Sequence, residues 1–144
     1  MAANSRLTIA VHALAWLALA QRRGTDRLTS EQVAASVNTN PVILRRSLGS
    51  LERAGLVRVW RGAGAGWSLA RPPEEITLLA VYEAISPDPP FALHHSEPNL
   101  ECPVGLGIRP ALSAVYDAVE ADLRGALSRT SVAEVLEETL AANG

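Results

Sequence analysis

The 144 residues, 48% of them hydrophobic, suffice for one buried core and leave no room for a second independent domain. The formal charge of −2 hides an asymmetry: residues 1–71 hold ten arginines against three acids, a balance of +7, and residues 72–144 hold three arginines against twelve acids, a balance of −9. The first stretch suits a polyanion, and the single cysteine, Cys102, excludes an intramolecular disulfide framework and points to a reducing compartment, the cytoplasm.

From Leu7 to Ala20 the chain is apolar apart from Thr8 and His12. With Met1 to Arg6 before it and the small residues Ala18-Leu19-Ala20 at its end, it has the outline of an export signal. A buried first helix is expected instead, because Thr8, His12 and Trp16 form a more polar stripe at helical spacing and the next motif needs a helix to pack on. These fourteen residues are too few to span a bilayer, which takes about twenty. His12 is expected as a satisfied histidine at a helix interface rather than as a ligand. After a polar turn at Arg22 to Asp26, Thr29 and Gln32 have capping-box spacing, and a second short helix runs to about Val37.

Asn38-Thr39-Asn40 is turn chemistry, so two short helices lie three residues apart, the layout of a helix-turn-helix whose second member enters the DNA major groove. Asn40 as cap and Pro41 at the first position predict a third helix from about Pro41 to Ala54. Leu44, Leu48 and Leu51 make its core stripe and leave Arg45, Arg46 and Ser50 on other faces. Gly55 ends the helix, Leu56 to Trp60 alternates as a strand, and Trp67-Ser68-Leu69 returns after Arg61-Gly62-Ala63-Gly64-Ala65-Gly66. Those glycines do not make a phosphate loop, since they separate two strands instead of opening a helix. They read as the turn of a wing, with Arg61 at its base placed to reach the minor groove. All basic residues are arginine, which suits bidentate phosphate or guanine contacts but is more simply the coding bias of a GC-rich genome.

Beyond Arg71, Pro72-Pro73 reads as a hinge and Ile76 to Ile85 as a helix of about ten residues. A proline- and histidine-rich loop is expected from Ser86 to about Arg109. Pro110 is expected to start a long amphipathic helix with the apolar stripe Leu112, Val115, Val119 and Leu123, and a short helix follows from about Ser131 to Ala141. The stripe needs a partner, and the same helix of a second chain is the simplest; such a two-fold dimer presents two recognition helices to a palindrome. The fold class is thus mainly α with a small β-wing: a winged helix-turn-helix over 1–71, and a linker, sensor-like loop and dimerisation helices over 72–144, in one folded unit.

The stretches NSRLTIAVHALAWLAL, LTSEQVAASVNTNPVILRRSLGSLERAGLVRVWRGAGAGWSLAR and ITLLAVYEAI resemble the Rrf-two family of bacterial winged-helix transcription regulators, over essentially the whole chain. The resemblance implies a homodimeric, repressor-like protein that binds double-stranded operator DNA. It implies that Thr39, Asn40, Val42, Arg45 and Arg46 occupy recognition-helix positions, that Arg61 is the wing arginine, and that Ser5 and Arg6 sit near the DNA backbone. The family's best-known members hold an iron–sulfur cluster with three cysteines in the loop before the long helix. Here that loop has only Cys102, which excludes a cluster of that form, and no cofactor is expected. His94, His95, Glu97 and Glu101 beside Cys102 are too irregularly spaced for a strong metal signal. Cys102, with His94 and His95, remains a candidate redox or small-molecule sensor, and an inert cysteine buried against the dimer helix is the plain reading. Two other classes stay open: an enzyme built on Cys102 and a nearby histidine, which no family spacing supports, and a protein-interaction module that uses the fold as scaffold.

Overall fold

The computed structural model describes residues 4–85 and 87–143, so Met1 to Ala3 of the export-like outline and Ser86, the expected start of the loop, lie outside the described residues. The order is α1 (Arg6–Arg22), α2 (Ser30–Val37), α3 (Pro41–Arg53), β1 (Val57–Trp60), β2 (Gly66–Leu69), a 3-10 turn (Pro73–Glu75), α4 (Leu78–Ala84), α5 (Pro103–Ser128) and α6 (Val132–Ala141). Helix α1 is the central packing element and touches α2, α3, α4, α6 and β2. Its inward face carries Ala10, Ala13, Leu14 and Leu17, small enough in part for neighbouring helices to close in. Against it lie Leu44, Leu48 and Leu51 of α3 with Leu56, Ile76, Val81 and Val132. Each fully buried leucine contributes roughly 1.5–3 kcal/mol. His12 Nε2 meets Ser36 Oγ at 2.9 Å, which joins α1 to α2 and makes this ring the satisfied interface histidine expected of it.

Strands β1 and β2 pair antiparallel, Val57 opposite Leu69 and Trp60 opposite Gly66. A third partner was not legible in the sequence: Leu28 forms a bridge to Trp67, its amide donating to the Trp67 carbonyl at 3.0 Å and its carbonyl accepting from the Trp67 amide at 2.7 Å. The wing is thereby fastened to the residue that precedes α2 by two positions. Gly66 permits this closeness, because a Cβ there would lie 2.9 Å from the Leu28 carbonyl oxygen.

Two boundaries differ from the expected ones. Helix α4 begins at Leu78, not Ile76, because the backbone at Ile76 and Thr77 is extended and bridges Ser131; the Leu78 amide donates to the Thr130 carbonyl and the Val132 amide to that of Ile76. Thr77 caps what remains, accepting from the Ala80 amide at 3.1 Å. Helix α5 begins seven residues early, at Pro103, and Pro110 lies inside it. Pro103 takes the first-turn position that suits proline. Gly105 lets the preceding loop fold onto this first turn, since any Cβ there would collide with the Asn99 carbonyl. Not one of the 26 residues of α5 is buried, and Val104, Leu106 and Val115 are exposed by 67, 64 and 54%. Among the described residues its one ionic tie to the body is Arg124, which reaches Glu83 of α4 at 3.2 Å and Glu120 at 3.1 Å; these carboxylates hold the guanidinium pKa above its ordinary value. No helix among the described residues is long and apolar enough to cross a membrane.

Candidate nucleic-acid interface

The turn between α2 and α3 is built from local polar chemistry. Thr29 and Gln32 close a reciprocal capping box at the start of α2, and Asn38, at φ 63°, turns the chain in the left-handed region that asparagine tolerates. Thr39, half-buried, donates its amide to the Ala34 carbonyl at 3.2 Å. The Asn40 side chain then accepts from the Val42 amide at 2.7 Å and begins α3. With Leu44, Ser47, Leu48 and Leu51 buried, the helical repeat turns Val42, Arg46 and Arg53 outward, with Ile43 and Arg45 on the flanks of that face. Arg45 is tied to Glu31 of α2 at 3.4 Å. Arg46 makes no ion pair among the described residues, and its side chain is exposed.

The wing is stiff for its size. Gly62 and Gly64 adopt φ of 75° and 76°, and the Ala65 amide donates to the Gly62 carbonyl to close the turn. Trp60 donates its indole N–H to Ser68 Oγ at 2.9 Å, and the guanidinium carbons of both Arg27 and Arg58 lie 3.9 Å from its ring centroid. Arg27 also donates to the Gly64 carbonyl at 2.9 Å, bracing the turn from outside. Arg61 is exposed and shares a cleft of about 340 Å³ with Trp60 and with Ser30 and Glu31 at the start of α2. Glu31 thus pairs with Arg45 and also lines the cleft that Arg61 borders. Sequence reasoning missed Ile43, Arg27 and Arg58. The exposure of Ile43 beside the leucine stripe was the readable signal, whereas the stacking on Trp60 is tertiary and left none.

Other expected residues are placed elsewhere. Ser5 precedes α1 without capping it by its side chain; Asn4 does so, accepting from the Arg6 amide at 2.9 Å. Asn4 and Leu7 line a cavity with Tyr82, Ile85 and Leu123, so this end of α1 adjoins α4 and α5. In the expected apolar stripe of α5, Val115 is exposed while Leu112, Val119 and Leu123 are half-buried. His94 and His95 stack on each other at 4.4 Å, and Arg109 donates to the carbonyls of His94 and Ser96. In the single chain Cys102 is exposed, and it immediately precedes α5. Its thiol completes no capping hydrogen bond, yet the Gly105 and Val104 amides that face it hold its pKa below the ordinary thiol value.

Residues 3–138 match the family model described as Rrf2, iron-dependent transcriptional regulator. The chain belongs to the Rrf2 (Rrf-two) family. It is 35% identical to YwnA of Bacillus subtilis, named as an HTH-type transcriptional regulator, over 92% of this chain and 96% of that one. The crystal structure of a protein described as DNA-binding is 33% identical, with a TM-score of 0.72 over 92% of this chain and 99% of the other. CymR of Staphylococcus aureus, at 21% identity and TM-score 0.69 over 93% and 97% of the two chains, shares the fold. As a member of this family the chain is a DNA-binding transcription regulator with a winged helix-turn-helix, and not an enzyme. Iron, which the family description carries, does not fit the residues here. One cysteine stands where a cluster needs several thiolates, and no three His, Cys, Asp or Glu side chains among the described residues are grouped to hold a metal ion.

Proposed function

We propose that the protein is a homodimeric, cytoplasmic repressor that reads a palindromic operator with α3 and the wing, through Thr39, Asn40, Val42, Arg45, Arg46 and Arg61, with Ser5 and Arg6 on the DNA backbone. In this reading residues 1–71 bind DNA and residues 72–144 join the two subunits, within one folded unit. The observation that carries it is the outward face of α3, where Val42 and Arg46 stand free beside an arginine-based, braced wing. Its test is retention of genomic fragments by the purified protein at physiological salt. A small set of fragments sharing an inverted repeat is expected; uniform retention of all fragments, or of none, would sink the reading.

Control of the repressor is assigned to Cys102. The thiol is exposed, its pKa is lowered, and it sits where the loop meets α5. The lowered pKa means that thiolate persists to a lower pH than in an unstructured cysteine, so alkylation of the folded protein should reach half its maximal rate at lower pH than that of a short peptide around Cys102. Oxidation to a sulfenic acid or a mixed disulfide should change operator affinity in wild type and leave Cys102→Ser unaffected. An equal response in both proteins would make the thiol a bystander.

A further inference from the structure

The first turn of α3 carries two large aliphatic side chains that the fold does not use. Val42 is exposed by 54% and Ile43 by 46%, although both adjoin a stripe of buried leucines. A surface helix ordinarily fills such positions with polar residues. The start of α3 is also the part of a recognition helix that meets base edges in the major groove. Among those edges the only apolar feature is the C5 methyl of thymine. Both side chains are β-branched and stiff about χ1, so they present a fixed apolar surface at small entropic cost. Asn40, the residue of this turn with the chemistry to pair with adenine, has its carbonyl oxygen engaged by the Val42 amide at 2.7 Å. One turn further along, Arg46 shares the outward face with Val42 and has the chemistry of a guanine reader.

We propose that Val42 and Ile43 recognise thymine methyl groups, so that each operator half-site is chosen by apolar contact at T·A pairs next to the base pair met by Arg46. This inference rests on the operator-binding function proposed above and adds what the helix reads. It follows that a pyrimidine stripped of its methyl group is discriminated against even though every hydrogen-bonding edge is unchanged.

The experiment begins with selection of tight-binding duplexes from a randomised pool by the full-length protein. Each thymine of the selected site is then replaced, one at a time, by deoxyuridine, which removes the methyl and nothing else. Loss of one buried methyl should weaken binding by about fourfold at the contacted thymines and leave the others unchanged. In Val42→Ala and Ile43→Ala the thymine-to-uracil ratio should fall to one, each variant at its own positions. Arg46→Ala should lower affinity throughout and keep that ratio. Equal binding of all uracil-substituted sites by wild type, or a ratio that survives both alanine variants, overturns the inference. Selection that enriches no sequence defeats the operator reading itself, before any thymine is altered, and this inference with it.

Discussion

Arg46→Ala is expected to weaken operator binding by about 1–3 kcal/mol, the range of a base-edge contact, and to leave thermal stability within about 0.5 kcal/mol of wild type. The exposed Arg46 side chain makes no ion pair among the described residues, so its removal leaves no buried group without a partner. Arg45→Ala should cost less. Its guanidinium already pairs with Glu31 at 3.4 Å, and an exposed pair of that kind contributes under about 1 kcal/mol. The two arginines are further separated by salt. Loss of a phosphate contact makes the dependence of affinity on salt shallower by about one unit of slope, whereas loss of a base contact also relaxes preference among sequences. Fluorescence anisotropy at several salt concentrations, on the selected site and on a scrambled one, measures both. Unchanged affinity in both variants would move the reading surface away from α3.

Val115→Glu should convert a dimer into a monomer. Helix α5 runs 26 residues with none buried, and Val104, Leu106 and Val115 face solvent in the single chain. Ala111, Val115 and Ala118 recur at four and three residues and form one exposed side. Leu123, by contrast, already lines a cavity with Leu7, Tyr82 and Ile85 of its own chain. A charge at Val115 therefore spares the fold of the subunit and is buried without a partner only if two chains meet on this side, where it costs several kcal/mol. Sedimentation at micromolar concentration and circular dichroism together decide it. Wild type that sediments as a monomer, or a Val115→Glu protein that remains dimeric with native helicity, would refute the arrangement.

What could be read in the sequence was the chemistry that acts within a few residues. The capping box of Thr29 and Gln32, the Asn40 cap with Pro41 and the left-handed Gly55 are all satisfied by near neighbours. The start of α5 is ambiguous in the sequence because two prolines, Pro103 and Pro110, offer the same first-turn signal, and Gly105 and Gly107 dilute the helical pattern between them. The deciding contact, the Asn99 loop folded onto Gly105, is tertiary. Helix α4 lost its first residues for the same kind of reason, since the pairing of Thr77 with Ser131 joins positions far apart in the chain. At the interface, the residue types on α3 were legible. The bracing of Trp60 by Arg27 and Arg58 was not, because nothing local announces which aromatic an arginine will stack on.

Pro110 gives α5 an uneven mechanical character. Proline has no N–H to offer the carbonyl of Leu106, and its ring crowds that carbonyl, so the hydrogen-bonded ladder lacks a rung about two turns from the start of the helix. Bending α5 at this point breaks one hydrogen bond fewer than bending it elsewhere along its length. The segment Pro103 to Arg109 carries Cys102 at its tip, and Arg109 clasps the carbonyls of His94 and Ser96 at its other end. Under the proposed control by Cys102, the thiol, the loop and the missing rung would all lie within this one segment. Beyond Pro110 the ladder of α5 is complete to Ser128, so the missing rung divides the helix into a short first segment beside the loop and a longer second one.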